Sequence, residues 1–320
     1  MSQNFGHFGV QRDRLPLHGL KIHLDNDPRF IGTKFRIYLK HSGHSMQARH
    51  NLEELERIAT RLRMHVVDMV APSGQGYVQQ GLGAADIFTS LFFAEATIDS
   101  ANPTWPDRDR VFLTTAHNTA IFYATLAERG FFDTEQLATY VADGSALEIN
   151  ASERMGPFIE ATCGSLGQGL SVAVGCALAA RRQGRASRVY VIVGDGEMQE
   201  GQVWEAAMFA GAKGLANLCL IVDYNFVQCE GPMDLVMSLE PLTDKMESFG
   251  FACQEVDGND IGALLAAYDQ ARETRGKASF IKANTLMGKG VASLEGLMFH
   301  QLRFPPEVAA SARAELEAQL

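Results

Sequence analysis

Between Val189 and Ala283 the chain alternates short, mostly apolar runs with longer amphipathic stretches, and this alternation narrows the fold more than any other feature. The runs Val189–Val193, Leu218–Val222, Phe251–Val256 and Ser279–Ala283 have strand length and little polar alternation. Between them Gly201–Ala212, Leu242–Phe249 and Ile261–Thr274 read as helices. Strands that are apolar at successive positions are buried on both faces, and a helix after each strand returns the chain to start the next one parallel. The expectation is an α/β fold, a parallel sheet with helices on both faces.

Upstream the pattern is compatible with the same plan. Asn51 is placed to cap a helix whose apolar residues Leu55, Ile58, Leu62, Val66 and Met69 recur at steps of three and four. A turn is expected at Pro72–Gly76, a helix at about Ala84–Ala94, a strand at Val111–Thr115 and a further helix from near His117. After a loop from Asp143 to Pro157, the segment CGSLGQG opens an Ala- and Val-rich helix that runs to Arg182. No repeat or linker divides residues 51–320, which are expected to form one domain. Residues 1–50 read as an N-terminal extension or arm. Their histidines (His7, His18, His23, His41, His44, His50) are scattered without Cys or carboxylate partners, which favours solvated loop over a metal site.

A net charge of −10 with no dense basic block leaves no electrostatic footprint for nucleic acid. No run of eighteen apolar residues and no apolar core near the N-terminus points to a membrane or a signal peptide. The five cysteines, Cys163, Cys176, Cys219, Cys229 and Cys253, form no CxxC pair and mostly lie in apolar stretches, as reduced core thiols do. A cytoplasmic protein acting on small molecules is the expectation.

Chemistry concentrates from Gly194 to Gly231. Gly194-Asp195-Gly196 stands where an apolar strand ends, the edge at which open α/β sheets bind ligands. Asp195 is placed there to meet a metal, and Gly196 allows the backbone to approach a phosphate. Asn225 stands at the end of the next strand. A carboxylate, an amide oxygen and a nearby carbonyl, assigned to Val227, would give magnesium or another divalent cation three hard oxygen ligands, with phosphates and water completing its shell. Alone, Gly-Asp-Gly also serves as a plain turn whose Asp caps a helix; the downstream Asn at matching register favours the ligand reading.

GDG followed by Asn at this distance is the thiamine-diphosphate motif, and GDGEMQEGQVWEAAMFAGAKGLANLCLIVDYN resembles the diphosphate-binding domain of the transketolase family. LRMHVVDMVAPSGQG, NPTWPDRDRVFLTTAHNTAIFYATL, CGSLGQGLSVAVGCALAA and TLMGKGVASLEGLMFH fall in the same family's order, so the resemblance spans about Leu52 to Phe304. It implies a thiamine-diphosphate-binding fold in which Asp195 and Asn225 hold the metal. Gly194, Gly196 and Glu197 then lie at the diphosphate, with Gly164, Ser165 and Leu166 along the cofactor. His117 matches a histidine near diphosphate and substrate, and His300 one that follows a GKG-like loop. Glu200 matches an acidic residue that communicates with the activating glutamate across a subunit interface; as a plain alternative, it complements the start of a helix.

In that family the activating glutamate sits on a pyrimidine-binding domain, for which no residues remain here. The resemblance therefore implies a split enzyme whose C-terminal partner subunit supplies it, in an α2β2 assembly that transfers a two-carbon ketol unit from a ketose-like donor to an aldehyde. Where typical members read SGHPG this chain has SGQGY, so Gln75 replaces a histidine that contacts the sugar, and LEINASE departs similarly. Gln and Asn bond hydroxyls but do not exchange protons near neutrality, which implies a specialised sugar. Two alternatives share the motif: the alpha subunit of a 2-oxoacid dehydrogenase first component, and a non-catalytic partner-binding subunit.

Overall fold

A reciprocal cap starts the first helix. The Glu54 amide donates to Asn51 Oδ1 at 2.9 Å and the Asn51 amide donates to Glu54 Oε2 at 2.8 Å, so two donors that a first helical turn leaves open are satisfied. The computed structural model describes residues 50–74 and 76–320. Its helices are α1 Leu52–Ser73, α2 Val78–Ser90, α3 Thr119–Glu128, α4 Gln168–Arg182, α5 Gly201–Ala212, α6 Met233–Val236, α7 Leu242–Ser248, α8 Ile261–Glu273 and α9 Pro306–Glu317. Its strands are β1 Arg110–Leu113, β2 Val189–Gly194, β3 Leu218–Tyr224, β4 Val227–Gln228, β5 Gly231–Pro232, β6 Ala252–Asp257 and β7 Ser279–Asn284.

Five strands form one sheet in the order β1-β2-β3-β7-β6, and every pairing is parallel. Successive strand residues point to opposite faces, and here each face meets its own core. Tyr190, Ile192, Cys219, Ile221 and Ile281 pack beneath α1, α2, α3 and α8. Val191, Val193, Leu220, Val222 and Phe280 pack beneath α4, α5 and α7. The expected α/β sheet with helices on both faces is therefore present. Gly211 lets α5 come close to the turn before β6: a Cβ there would stand 1.8 Å from the Phe249 carbonyl oxygen.

Several boundaries differ from the sequence expectation. Helix α1 continues through Pro72 to Ser73 and ends at Gly74 in a left-handed conformation, φ 60, so the turn begins later than expected. Helix α2 starts at Val78 rather than Ala84, because the polar pair Gln79 and Gln80 is buried and spends its side chains on the segment before Leu302. Strand β1 ends at Leu113; Thr114 and Thr115 already turn towards a short 3-10 helix, Ala116–Asn118, that precedes α3. The hairpin β4–β5 and helix α9, which packs on α1 through Ala309, Ala312 and Leu316, had no counterpart in the sequence reading. Cys229 is exposed, unlike the buried Cys163 and Cys219, and all five thiols are free. Among the described residues no helix is long and apolar enough to cross a membrane. Of the arm assigned to residues 1–50, residues 1–49 lie outside the described residues.

Candidate functional site

Neighbouring strand ends build the site. β2 and β3 pair with Gly194 opposite Asp223. One step further, Asp195 Oδ1 accepts from the Gly196 amide at 2.7 Å and Oδ2 from the Phe226 amide at 2.6 Å. Asn225 Oδ1 accepts from the Val227 amide at 3.1 Å. Phe226 has φ 67, a left-handed conformation uncommon outside glycine, and this turn aims its amide back at Asp195 while Val227 enters the hairpin. Asp195 is 1% and Asn225 6% exposed. Burial, and next the carboxylate of Asp223, push the Asp195 pKa up to about 8 against the pull of these backbone amides. A cation would favour the charged form there.

A cavity of about 240 Å³ opens over Asp195. Of the residues singled out from the sequence, His117, Leu166, Asp195, Gly196, Glu197, Glu200, Val227 and His300 line it. Asn225 lines the adjoining cleft with Phe226 and Val227. Gly194 lies under His117: a Cβ would be 2.6 Å from its Cε1, so only glycine leaves room for the ring. His117 and His300 meet edge to face at 5.6 Å, with Tyr77 5.2 Å from His300. Burial, then His300, lower the His117 pKa to about 3; burial also lowers that of His300. Both imidazoles are thus neutral near pH 7.

Glu197 has a second task. Its Oε2 accepts from Thr114 Oγ1 at 2.6 Å and its Oε1 from the Gly167 amide at 3.0 Å. One carboxylate thereby joins the ends of β1 and β2 to the N-cap of α4. The Gly164 amide donates to the Thr114 carbonyl at 3.1 Å, which ties the Gly164–Leu166 turn to the same point. Ser165 is exposed and Leu166 is 39% exposed at the cavity wall. Gln75 lies outside the described residues.

Other residues escaped the sequence reading. Asp223, fully buried, accepts from Asn118 Nδ2 at 2.9 Å and Thr285 Oγ1 at 2.5 Å, locking β3 to both neighbouring segments. An Asp inside an otherwise apolar strand was the available signal. Gln199, Gln228, Cys229 and Glu230 also line the cavity; they lie on a 3-10 turn and a hairpin that carry no periodic signature. Among the described residues no group of three or more His, Cys, Asp or Glu is arranged to hold a metal ion. A donor set of one carboxylate, one amide and one carbonyl contains no such group.

The family pattern described as "Transketolase, thiamine diphosphate binding domain" matches residues 55–301. The chain belongs to the transketolase family. That match also separates it from the 2-oxoacid dehydrogenase alternative. Within the family, the chain is 39% identical to the 6-deoxy-6-sulfo-D-fructose transketolase subunit SqwG of Clostridium sp. (strain MSTE9), covering 83% of this chain and 97% of that one. It is 35% identical to one subunit of the apulose-4-phosphate transketolase of Actinobacillus succinogenes, over 76% of this chain and 88% of the other. The crystal structure of transketolase from Campylobacter jejuni superposes with a TM-score of 0.77 at 30% identity, covering 84% of this chain and 43% of that one. This transketolase-family chain thus carries the thiamine-diphosphate-binding domain, and these two relatives, which it matches along most of their length, are named as subunits.

Proposed function

We propose that the chain is the diphosphate-binding half of a split transketolase-like enzyme that moves a two-carbon ketol unit from a ketose-like donor to an aldehyde. The observation that carries this reading is the placing of Asp195 and Asn225 just past adjacent strand tips, Asp195 on a polar cavity and Asn225 on the cleft beside it. Asp195, Asn225 and the Val227 carbonyl would hold a divalent cation, with hard oxygen donors of the kind magnesium prefers. At Gly196 a Cβ would stand 2.9 Å from Gln228 Cβ, so only glycine fits there, and its backbone would lie beside the diphosphate. Gly164, Ser165 and Leu166 would flank the cofactor.

Bound thiamine diphosphate supplies the electron sink that the carbon–carbon chemistry needs. The chain's own residues orient and solvate. His117 and His300, both neutral, offer hydrogen bonds to substrate oxygens from one wall of the cavity. Glu200, at the start of α5 and on the cavity wall, would face the glutamate contributed by a C-terminal partner subunit. Two copies of each chain would complete the sites. The two split relatives are named for a sulfonated sugar and for a phosphorylated one, which supports a specialised donor here, with Gln75 at its hydroxyls.

Calorimetric titration of the full chain with thiamine diphosphate tests the reading. Saturable binding that requires magnesium and disappears with a chelator is expected, and ketol transfer should emerge when the partner is added. Binding indifferent to the cation would remove the assigned metal site. Binding without turnover in the reconstituted complex would favour the non-catalytic subunit.

A further inference from the structure

We propose that Gln80 holds His300 as the neutral imidazole protonated on Nε2, so that the ring offers the cavity a hydrogen-bond donor rather than a basic nitrogen. Gln80 is 2% exposed. Its Nε2 donates to the His300 carbonyl at 2.7 Å and lies 3.3 Å from His300 Nδ1. A primary amide has two hydrogens and its nitrogen accepts none. One hydrogen serves the carbonyl, and the other is available to Nδ1 alone, which must then present its lone pair. Rotating the amide would set Oε1 against a carbonyl oxygen, an arrangement of two acceptors with no proton between them. A neutral ring whose Nδ1 accepts carries its proton on Nε2.

The neighbouring residue removes the freedom to escape this arrangement. Gln79 Nε2 donates to the carbonyls of Leu294 at 3.2 Å and Leu297 at 2.9 Å, and its own carbonyl accepts from the Gly288 amide at 2.9 Å. Two adjacent glutamines on the first turn of α2 therefore fasten the segment that brings His300 to the cavity. Tyr77 and His117 pack against the ring with centroids 5.2 Å and 5.6 Å away. Gln80 acts through His300, as a positioning residue. Its consequence for catalysis rests on the reading of the cavity as a sugar site: a fixed Nε2–H suits a carbonyl or alkoxide oxygen and disfavours a role as general base.

Nitrogen NMR of the full chain labelled at histidine reads the tautomer directly and needs no turnover, so failure of the enzymatic reading leaves this test standing. The His300 signals are assigned by their loss in His300→Gln. In the wild type a one-bond proton coupling at Nε2 and none at Nδ1 is expected. Gln80→Met should leave both tautomers populated, and Gln80→Glu, whose carboxylate only accepts, should move the proton to Nδ1. A wild-type ring protonated on Nδ1 overturns the proposal even if neither variant folds; so does an unchanged Nε2 tautomer in Gln80→Met.

Discussion

The C-terminal ends of β2–β3 and of β6–β7 lie along one edge of one sheet, yet the first pair carries the proposed site. Asp257 ends β6 as Asp195 follows β2, but Asp257 is exposed and accepts from the Asn259 amide at 2.8 Å to close an ordinary turn. Asn284, ending β7, donates to Glu255 at 2.8 Å on the surface. Asn259 spends its amide on Gly83 and Asp86, at 2.8 and 2.9 Å. At β2–β3 the polar groups are instead buried around a cavity, held by backbone amides, with carboxylates pushed towards neutrality by burial. What distinguishes the strand end proposed to bind the cation is a desolvated carboxylate that its own fold leaves without a counter-charge.

The largest expected effect opposes these two ends directly. Asp195→Ala should weaken magnesium-dependent binding of thiamine diphosphate by about a hundredfold or more, ~3 kcal/mol, whereas Asp257→Ala should leave the calorimetric affinity unchanged. Equal losses would break the contrast. Next, two glycines separate fold from site. Gly211→Ala drives a Cβ against the Phe249 carbonyl, which as backbone has little room to yield; about 2–3 kcal/mol of stability should go, read from the denaturant midpoint, with the cofactor affinity of the folded fraction intact. Gly194→Ala meets side chains, the His117 ring closely and Thr115 Oγ1 at 3.7 Å, so it should lose less stability but weaken cofactor binding.

Acid titration sharpens the same comparison. His117 has its folded pKa lowered to about 3 from 6.5, so between those values the unfolded chain binds the extra proton. The stability contributed by neutral His117 is complete above the ordinary histidine range and is lost as pH falls towards the folded value. His117→Asn should make the acid limb of a stability–pH curve shallower; an unchanged limb would show that the ring is not desolvated. Smallest of all, Asn51→Ala removes the α1 cap far from both strand ends. About 1 kcal/mol of stability should be lost, with no change in cofactor affinity.

The β2–α5–β3 unit was legible to within a residue or two because its apolar runs and its amphipathic helix each carry one period. So were the positions of Asp195 and Asn225 just past β2 and β3, since strand ends follow from strands. The start of α2 was not legible: Gln79 and Gln80 look solvent-facing until the distant carbonyls that their amides bind are known. Helix α9 was missed because its buried face is largely alanine, a weak apolar signal. The bracing by Glu197 rests on contacts to Thr114 and Gly167, far along the chain, which no local pattern encodes.

Because that one carboxylate already fastens two strand tips to the start of α4, the walls around the cavity beside Asp195 stand in place before any guest arrives. Little chain entropy remains to be surrendered on association. Occupancy should therefore register chiefly as a change in hydration, with a modest heat-capacity signature and fast entry, rather than as the slow ordering of a loop.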